Sequence, residues 1–270
     1  MLPQEYKNWI QTVFDSAANR YGEDGSSFFN SIGKELVNFA NLNESKNVLD
    51  VATGKGAVLL PIAEKFNGCG NIYGIDLSAE MIKALTFFVA QKFSNVHLQQ
   101  MDAENLTFSD NYFDTIFCAF ALFFFPHTDK ALREFKRVLK KDGLLYLSLW
   151  DADTYLDLLI QRVTRKFGIS KKISANELHP SAEEFHQLLN EIGFTKLRIE
   201  KFTLVHHYHD LEQYWNSLWS HAYRGYLEEL ADNQLLQMKK EIFNELENHV
   251  NETGQLIEEM PVIFIEAKCS

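Results

Sequence analysis

Cysteine is scarce in this chain of 270 residues: Cys69, Cys118 and Cys269 stand far apart, and no C-x-x-C pair occurs. That spacing offers neither a disulfide framework nor a cysteine zinc site, and it fits a reducing compartment. Runs of lysine or arginine are missing too, and the formal net charge is -11. An acidic surface repels phosphate backbones, so nucleic acid is a poor candidate for the principal partner. The first residues, Met1 to Lys7, lack the basic start and apolar stretch of a signal peptide. The longest apolar run, Ile116 to Pro126, falls well short of the roughly 20 residues that span a bilayer. It reads as a buried parallel strand leading into a loop, because such strands are apolar on both faces. There is no internal repeat and no low-complexity segment. The expectation is a soluble, cytoplasmic chain without a membrane span, and nothing in the sequence specifies an oligomeric state.

What is present is a patterned stretch from Asn47 to Gly56. An apolar strand reaches the acidic Asp50, then turns through Ala52, Gly54 and Gly56 into a helix expected to begin near Ala57. Glycine lets backbone approach a ligand closely and tolerates unusual φ/ψ. The helix that follows offers unpaired N–H groups to an anionic group. Twenty residues after Gly56 stands Asp76, at the tip of a second apolar strand. A carboxylate there can accept hydrogen bonds from ribose hydroxyls. The dinucleotide fingerprint would place a third glycine at position 59, which is Leu59, and the P-loop pattern is absent. The loop therefore suits an adenosine-bearing ligand without a pyrophosphate. A glycine turn with no ligand is the plainer alternative.

Further strands are expected over Asn95–Gln100, Phe113–Ala119 and Gly143–Trp150, with helices over Ala57–Phe66, Ala79–Phe93 and Asp129–Lys141. Leu132, Phe135, Lys136 and Leu139 follow helical spacing. Ser78 suits the N-cap of the second helix, and Thr128 or Asp129 that of the third. Strands alternating with helices imply a parallel, doubly wound sheet, with ligands outside the carboxyl ends of the strands. Beyond Trp150, Asp151–Ala175 reads as a helix with a basic loop, and Ser181–Ile192 as a helix with Ser181 and Glu184 in a capping-box pattern. A strand over Thr195–His207, helix over Asp210–Thr253 and a strand over Pro261–Ala267 complete the expectation. Two units are expected: an N-terminal helical cover over 1–45, and a main domain over 46–270 carrying a helical cover insertion at about 210–255.

Taken together, these motifs resemble the class I S-adenosylmethionine-dependent methyltransferases, nearest to the ubiquinone/menaquinone-type small-molecule enzymes. The matching pieces are Val48 to Gly56, Gly74 to Met81, Asp102 to Glu104, Phe113 to Ile116, and Leu132 to Gly143. The resemblance implies an α/β, Rossmann-like, mostly parallel seven-stranded sheet with an antiparallel last strand and helical covers. It also implies S-adenosylmethionine as cofactor and S-adenosylhomocysteine as product. Ala52 departs from the pattern, standing where many relatives carry the first glycine of the turn. After Ala119 there is no Asn/Asp-Pro-Pro-Tyr sequence, which lowers the expectation of a planar amino nitrogen as acceptor.

By position, the resemblance places Gly54 and Gly56 against the methionine part of the cofactor, with the helix N-terminus near its carboxylate, and counts Asp50 and Ala52 among the cofactor-binding residues. Asp76 would hold the ribose hydroxyls; it could instead cap a helix, but Ser78 fills that role. Leu77 and Met81 either sandwich the adenine or belong to ordinary core. Asp102, Ala103 and Glu104 follow the third strand, where Asp102 would accept from the adenine amino group and Ala103 would offer its N–H. Asp102 could also be an ordinary turn aspartate. Cys118 and Ala119 would lie beside the sulfonium, although Cys118 suits equally a small buried hydrophobe. Tyr21, from the N-terminal cover that also holds Phe14, Phe28 and Phe29, would lie over the cofactor or simply pack.

The expected reaction is methyl transfer to a small molecule, aromatic or apolar, with carbon, oxygen and nitrogen acceptors all open. Tyr214, Trp215, Leu218, Trp219, Ala222 and Tyr226 are spaced to form one aromatic helical face. Core packing is the default for such a stripe, and a lid over the acceptor is the alternative. His206, His207 and His209 lack an acidic residue at ligand spacing, so no metal is expected. No catalytic base is identified; His221 and the three neighbouring histidines stay open, and His127 reads as a loop residue. The rival functions are an NAD(P)-dependent oxidoreductase and a non-catalytic cofactor-binding assembly or regulatory protein.

Overall fold

The computed structural model describes residues 2–22, 26–43, 45–169 and 182–270. Helices α1 (Pro3–Ala17) and α2 (Phe28–Phe39) precede an alternating series. It runs β1 (Asn47–Val51), α3 (Leu59–Phe66), β2 (Asn71–Asp76), α4 (Ala79–Val89), β3 (Val96–Gln100), β4 (Phe113–Ala119), α5 (Thr128–Val138) and β5 (Leu139–Trp150). Then come α6 (Tyr155–Lys166), α7 (Ala182–Ile192), β6 (Phe194–Tyr208), α8 (Leu211–Leu218), α9 (Arg224–Leu227), α10 (Asp232–Leu246) and β7 (Leu256–Cys269).

The seven strands form one sheet in the order β3-β2-β1-β4-β5-β7-β6, with β7 antiparallel to both neighbours and the ladders among β1 to β5 parallel. Chain order reverses between β1 and β4, where Val51 stands beside Cys118. A crevice outside the carboxyl ends of the strands is expected at such a switch point. Val51, Asp76, Gln100, Ala119 and Trp150 all end on that edge.

Alternation along the strands sends side chains to two cores. On one face Leu145 and Leu147 join Leu49 and Ile116 beneath Phe135 of α5 and Leu189 of α7. On the other, Tyr146 joins Val48, Ile72 and Phe117 beneath Leu36 of α2, Ile62 of α3 and Leu85 of α4. A third cluster caps the open edge, packing Leu159 and Ile160 of α6, Trp215 of α8 and Ile242 of α10 around Tyr208 and Leu256. Gly33 of α2 abuts the glycine turn so closely that a Cβ there would fall 2.2 Å from the Ala57 carbonyl oxygen.

Several expected boundaries move. The helix after the turn starts at Leu59, not Ala57: Gly54 (φ 52°) and Gly56 (φ 87°) are left-handed, and the turn runs on through Val58, which is the N-cap. The helix expected over Asp129–Lys141 stops at Val138, and β5 begins at Leu139, four residues ahead of expectation. Leu139 pairs with Phe113 across the ladder, so its apolar side chain serves the strand although its spacing suits the helix. Its N-cap position is His127, with no side-chain cap, rather than Thr128 or Asp129. Ser78 does cap α4, accepting from the Met81 N–H at 3.1 Å.

The helix expected from Asp151 starts at Tyr155, where Thr154 caps it reciprocally with Asp157. The expected Ser181 cap lies outside the described residues. The segment expected to be helical over Asp210–Thr253 holds three helices, α8, α9 and α10. At the first break the Ser220 hydroxyl donates to the Ser217 carbonyl at 2.6 Å, a side-chain bond that competes with the helical ladder. No described helix is long and apolar enough to cross a membrane.

Candidate active site

The turn after β1 is held from two sides. The Thr53 N–H donates to the Ile75 carbonyl at 2.9 Å, tying the turn to β2. The Gly54 N–H donates to Asp76 Oδ2 at 2.9 Å, and the Ser78 N–H to Asp76 Oδ1 at 2.8 Å. Two backbone donors thus fix the Asp76 carboxylate at the tip of β2. Burial pushes its carboxyl up to about 6, against those N–H groups, and nearby Asp15 adds to the rise. Tyr21 lies over the turn: a Cβ on Gly54 would come 3.6 Å from its Cε1.

Helix α1 covers this edge and is pinned to it. Lys7 Nζ lies 2.6 Å from Asp102 Oδ2 and 2.8 Å from Glu104 Oε2. Burial alone would lower the Lys7 ammonium, yet the two carboxylates hold it above the usual lysine range. At the other end of α1, Asp15 Oδ1 accepts from the Ser78 hydroxyl at 2.5 Å and from the Glu80 N–H at 3.2 Å. An acid at the start of α4 also complements the helix dipole.

Between α1 and the strand ends lies a crevice lined by Ala52, Gly54, Asp76, Leu77, Met81, Asp102, Ala103, Ala119 and Tyr21. Nine of the expected positions therefore converge there, and four do not. Asp50 is 1% exposed and lies behind the turn, accepting from the Thr53 hydroxyl at 2.6 Å and from the Leu59 N–H. One of the free donors expected of α3 is thereby taken by Asp50. Burial pushes the Asp50 carboxyl up to about 7, and Asp76 adds to the rise. Gly56 packs against Leu85 and Leu60. Glu104, also 1% exposed, pairs with Lys7 and accepts the His127 N–H at 3.0 Å. Cys118 is buried, and burial raises its thiol well above the usual range.

A second cavity of about 180 Å³ adjoins the first, and Phe14, Tyr21, Phe120 and Phe124 line both. Its near walls are aromatic: Tyr21 stacks on Phe29 at 5.3 Å, and Phe120 on Trp150 at 4.2 Å. Phe120 holds φ 49°, a left-handed conformation uncommon for a bulky residue. His221 lines the same cavity, and burial lowers its imidazole to about 4, so it is neutral at pH 7. The expected aromatic stripe is split between α8 and α9, yet Tyr214, Leu218, Ala222 and Tyr226 still face this cavity. His206 packs between Phe28 and Tyr208, while His207 and His209 are exposed. Among the described residues, no three His, Cys, Asp or Glu side chains gather as a metal site.

Lys7, Gln11 and Phe120 line the crevice as well, and none is among the expected positions. Lys7, Ile10, Gln11 and Phe14 line the crevice at i, i+3, i+4 and i+7 of α1, a helical face that the sequence does carry. Phe120 left no such signal, because a positive φ in a phenylalanine cannot be read from composition.

This sheet order, with a glycine turn at the switch point and a fixed carboxylate on the next strand tip, defines a Rossmann-like fold whose crevice suits a nucleoside-bearing ligand. The chain belongs to the methyltransferase-domain family, whose model matches residues 42–248. It is 31% identical over 144 residues to the aklanonic acid methyltransferase DauC of Streptomyces sp. (strain C5), covering 53% of this chain and 66% of that protein. It is 29% identical over 214 residues to the ubiquinone/menaquinone biosynthesis C-methyltransferase UbiE of Nitrosospira multiformis, covering 73% and 87%. Among solved structures, the YcgJ protein of Bacillus subtilis superposes with a TM-score of 0.61 at 22% identity, over 88% of this chain and 98% of that one.

Proposed function

We propose that this chain transfers a methyl group from S-adenosylmethionine to a small-molecule acceptor held in the aromatic cavity. The observation that carries the reading is the pair of adjoining cavities sharing Phe14, Tyr21, Phe120 and Phe124. One has the features of a nucleoside site and the other those of an acceptor site. The related proteins named above act on acceptors of different kinds, so they favour the reaction and leave the acceptor atom to experiment.

The residues at the strand ends fit the cofactor. Asp76 keeps lone pairs for ribose hydroxyls while two backbone N–H groups hold its carboxylate still. Leu77 and Met81 offer apolar surface to an adenine, and Asp102 and Ala103 flank that place with a carboxylate and a backbone N–H. The missing Cβ of Gly54 leaves room beneath Tyr21. When bound, the cofactor supplies a methyl group already activated on a sulfonium.

What remains for the protein is orientation and exclusion of water, which in well-aligned cases contribute on the order of 7–11 kcal/mol. Helix α1, pinned by Lys7 and Asp15, roofs the crevice. The rings of Tyr21 and Phe120 present π faces that favour positive charge. His221 presents a neutral imidazole to the acceptor cavity, a hydrogen-bonding group that burial, lowering it to about 4, makes a weak base at pH 7. The test is transfer of labelled methyl from S-adenosylmethionine across a panel of phenols, enols and amines. Methyl incorporation that disappears in Asp76→Ala supports the reading. Tight cofactor binding with no transfer to any member of the panel would favour a binding protein instead.

A further inference from the structure

The acceptor cavity has a second pole. Strand β7 pairs Val262 with Trp150, the last residue of β5, and then continues outward, so Glu258 stands four residues beyond that edge. At about 3.4 Å per residue, this places Glu258 roughly 13 Å past the strand tips. There it meets Asp157 of α6, and both carboxylates line the cavity. Thr154 Oγ1 bridges them, lying 2.6 Å from Glu258 Oε1 and 3.0 Å from Asp157 Oδ2. The Tyr208 hydroxyl donates to Glu258 at 2.9 Å, and the Tyr223 hydroxyl to Asp157 at 2.8 Å.

Among the described residues, the donors to these two acids are hydroxyls and the Thr154 N–H, and none is a lysine or arginine. Arg165 lines the same cavity eight residues, or about 12 Å, further along α6. His206 is the cross-strand neighbour of Glu258 and packs edge-on against Tyr208. Glu258 is 7% exposed. Burial first, and Asp157 second, push its carboxyl up to about 7. Two acids brought together out of water disfavour their own ionisation, and a cation between them would relieve this.

An independent observation lies alongside. Tyr214, 3% exposed, lines the cavity, and among the described residues its hydroxyl has no hydrogen-bond partner. A buried hydroxyl without a partner is costly unless something else satisfies it. An alkylammonium has N–H donors only and no acceptor. Asp157, Glu258 and the Tyr214 oxygen are acceptors, and the aromatic walls offer π faces to positive charge.

We propose that the acceptor carries a protonated amine at its end remote from the methylated atom, seated on Asp157, Glu258 and Tyr214. This assignment rests on the methyl-transfer reading for what happens at the near end, by Tyr21 and Phe120. An acceptor with a carboxylate at the remote end would be rejected by the same pair.

Calorimetry of the full chain with benzylamine, 2-phenylethylamine and 3-phenylpropylamine, each beside its matched alcohol, tests the assignment. Titrations run with and without S-adenosylhomocysteine. At least one amine should bind about tenfold tighter than its alcohol, and Glu258→Gln should abolish that preference. Tyr214→Phe, which removes only the unpartnered oxygen, should weaken amine binding about threefold while leaving alcohol binding unchanged and the melting temperature of the free chain unchanged or raised. Alcohols binding as tightly as the amines would overturn the proposal, and so would failure of the whole amine series while S-adenosylhomocysteine binds. Amine preference without S-adenosylhomocysteine binding would uphold the cation site and remove the methyl-transfer reading instead.

Discussion

Lys7 Nζ lies 2.6 Å from Asp102 Oδ2 and 2.8 Å from Glu104 Oε2, so one ammonium on the first helix bridges the two acids that follow β3. Glu104 is 1% exposed, and Lys7→Ala would leave its carboxylate buried with no counter-charge. Breaking one partner of such a pair costs on the order of 3 kcal/mol. Lys7→Ala should therefore destabilise the chain by about that amount in urea unfolding and expose α1 to limited proteolysis. Adding Glu104→Gln should recover part of the loss, because the stranded charge is gone. A Lys7→Ala protein as stable and protease-resistant as the parent would show that the bridge does not hold α1 down.

Ala52 enters the turn at φ 55°, a conformation that costs a residue with a Cβ roughly 1–2 kcal/mol. Ala52→Gly relieves that strain but adds freedom to the unfolded chain, worth about 0.4–1 kcal/mol in the opposite direction. The net expectation is a gain of about 0.5–1 kcal/mol, read as a raised urea midpoint. Unchanged or lowered stability would mean that the Cβ makes a compensating contact.

Asp50 gives a pH dependence of defined sign. Its carboxyl is pushed from the usual range near 4 up to about 7, by burial first. The folded state then holds more protons than the unfolded between about pH 4 and 7. Its contribution to stability is complete below pH 4 and lost as pH rises to 7. Asp76 and Glu258 act in the same direction, and His221, lowered to about 4, acts against them. Asp50→Asn isolates the first of these. Its stability relative to the parent should improve from pH 5 to pH 8 by a few kcal/mol at most, since one pH unit of displacement is worth about 1.4 kcal/mol. A difference that stays constant across that range would contradict the assignment.

Legibility in the sequence followed how local each cause was. Strands β1, β2 and β4 were readable because short, mostly apolar runs such as Ile72–Ile75 and Ile116–Ala119 are set by burial. The Ser78 cap was readable because its partner is three residues away. The start of β5 was not, since Leu139 satisfies helical spacing while its partner, Phe113, is distant in sequence. Within the site, Asp76 and Asp102 reach the crevice, but Asp50 and Glu104 turn to Thr53 and Lys7. All four are acids at strand ends, and only the path of the turn decides which faces the crevice. The carboxylate pair in the second cavity joins residues 157 and 258, a contact that no local pattern announces.

The most direct test of the central claim is calorimetric titration of the purified chain with S-adenosylhomocysteine, run beside Asp76→Ala and beside NADH. The account predicts one site of micromolar affinity, weakened at least about tenfold in Asp76→Ala, with no binding of NADH. A folded chain that binds NADH and not S-adenosylhomocysteine, or an Asp76→Ala variant with undiminished affinity, would contradict it.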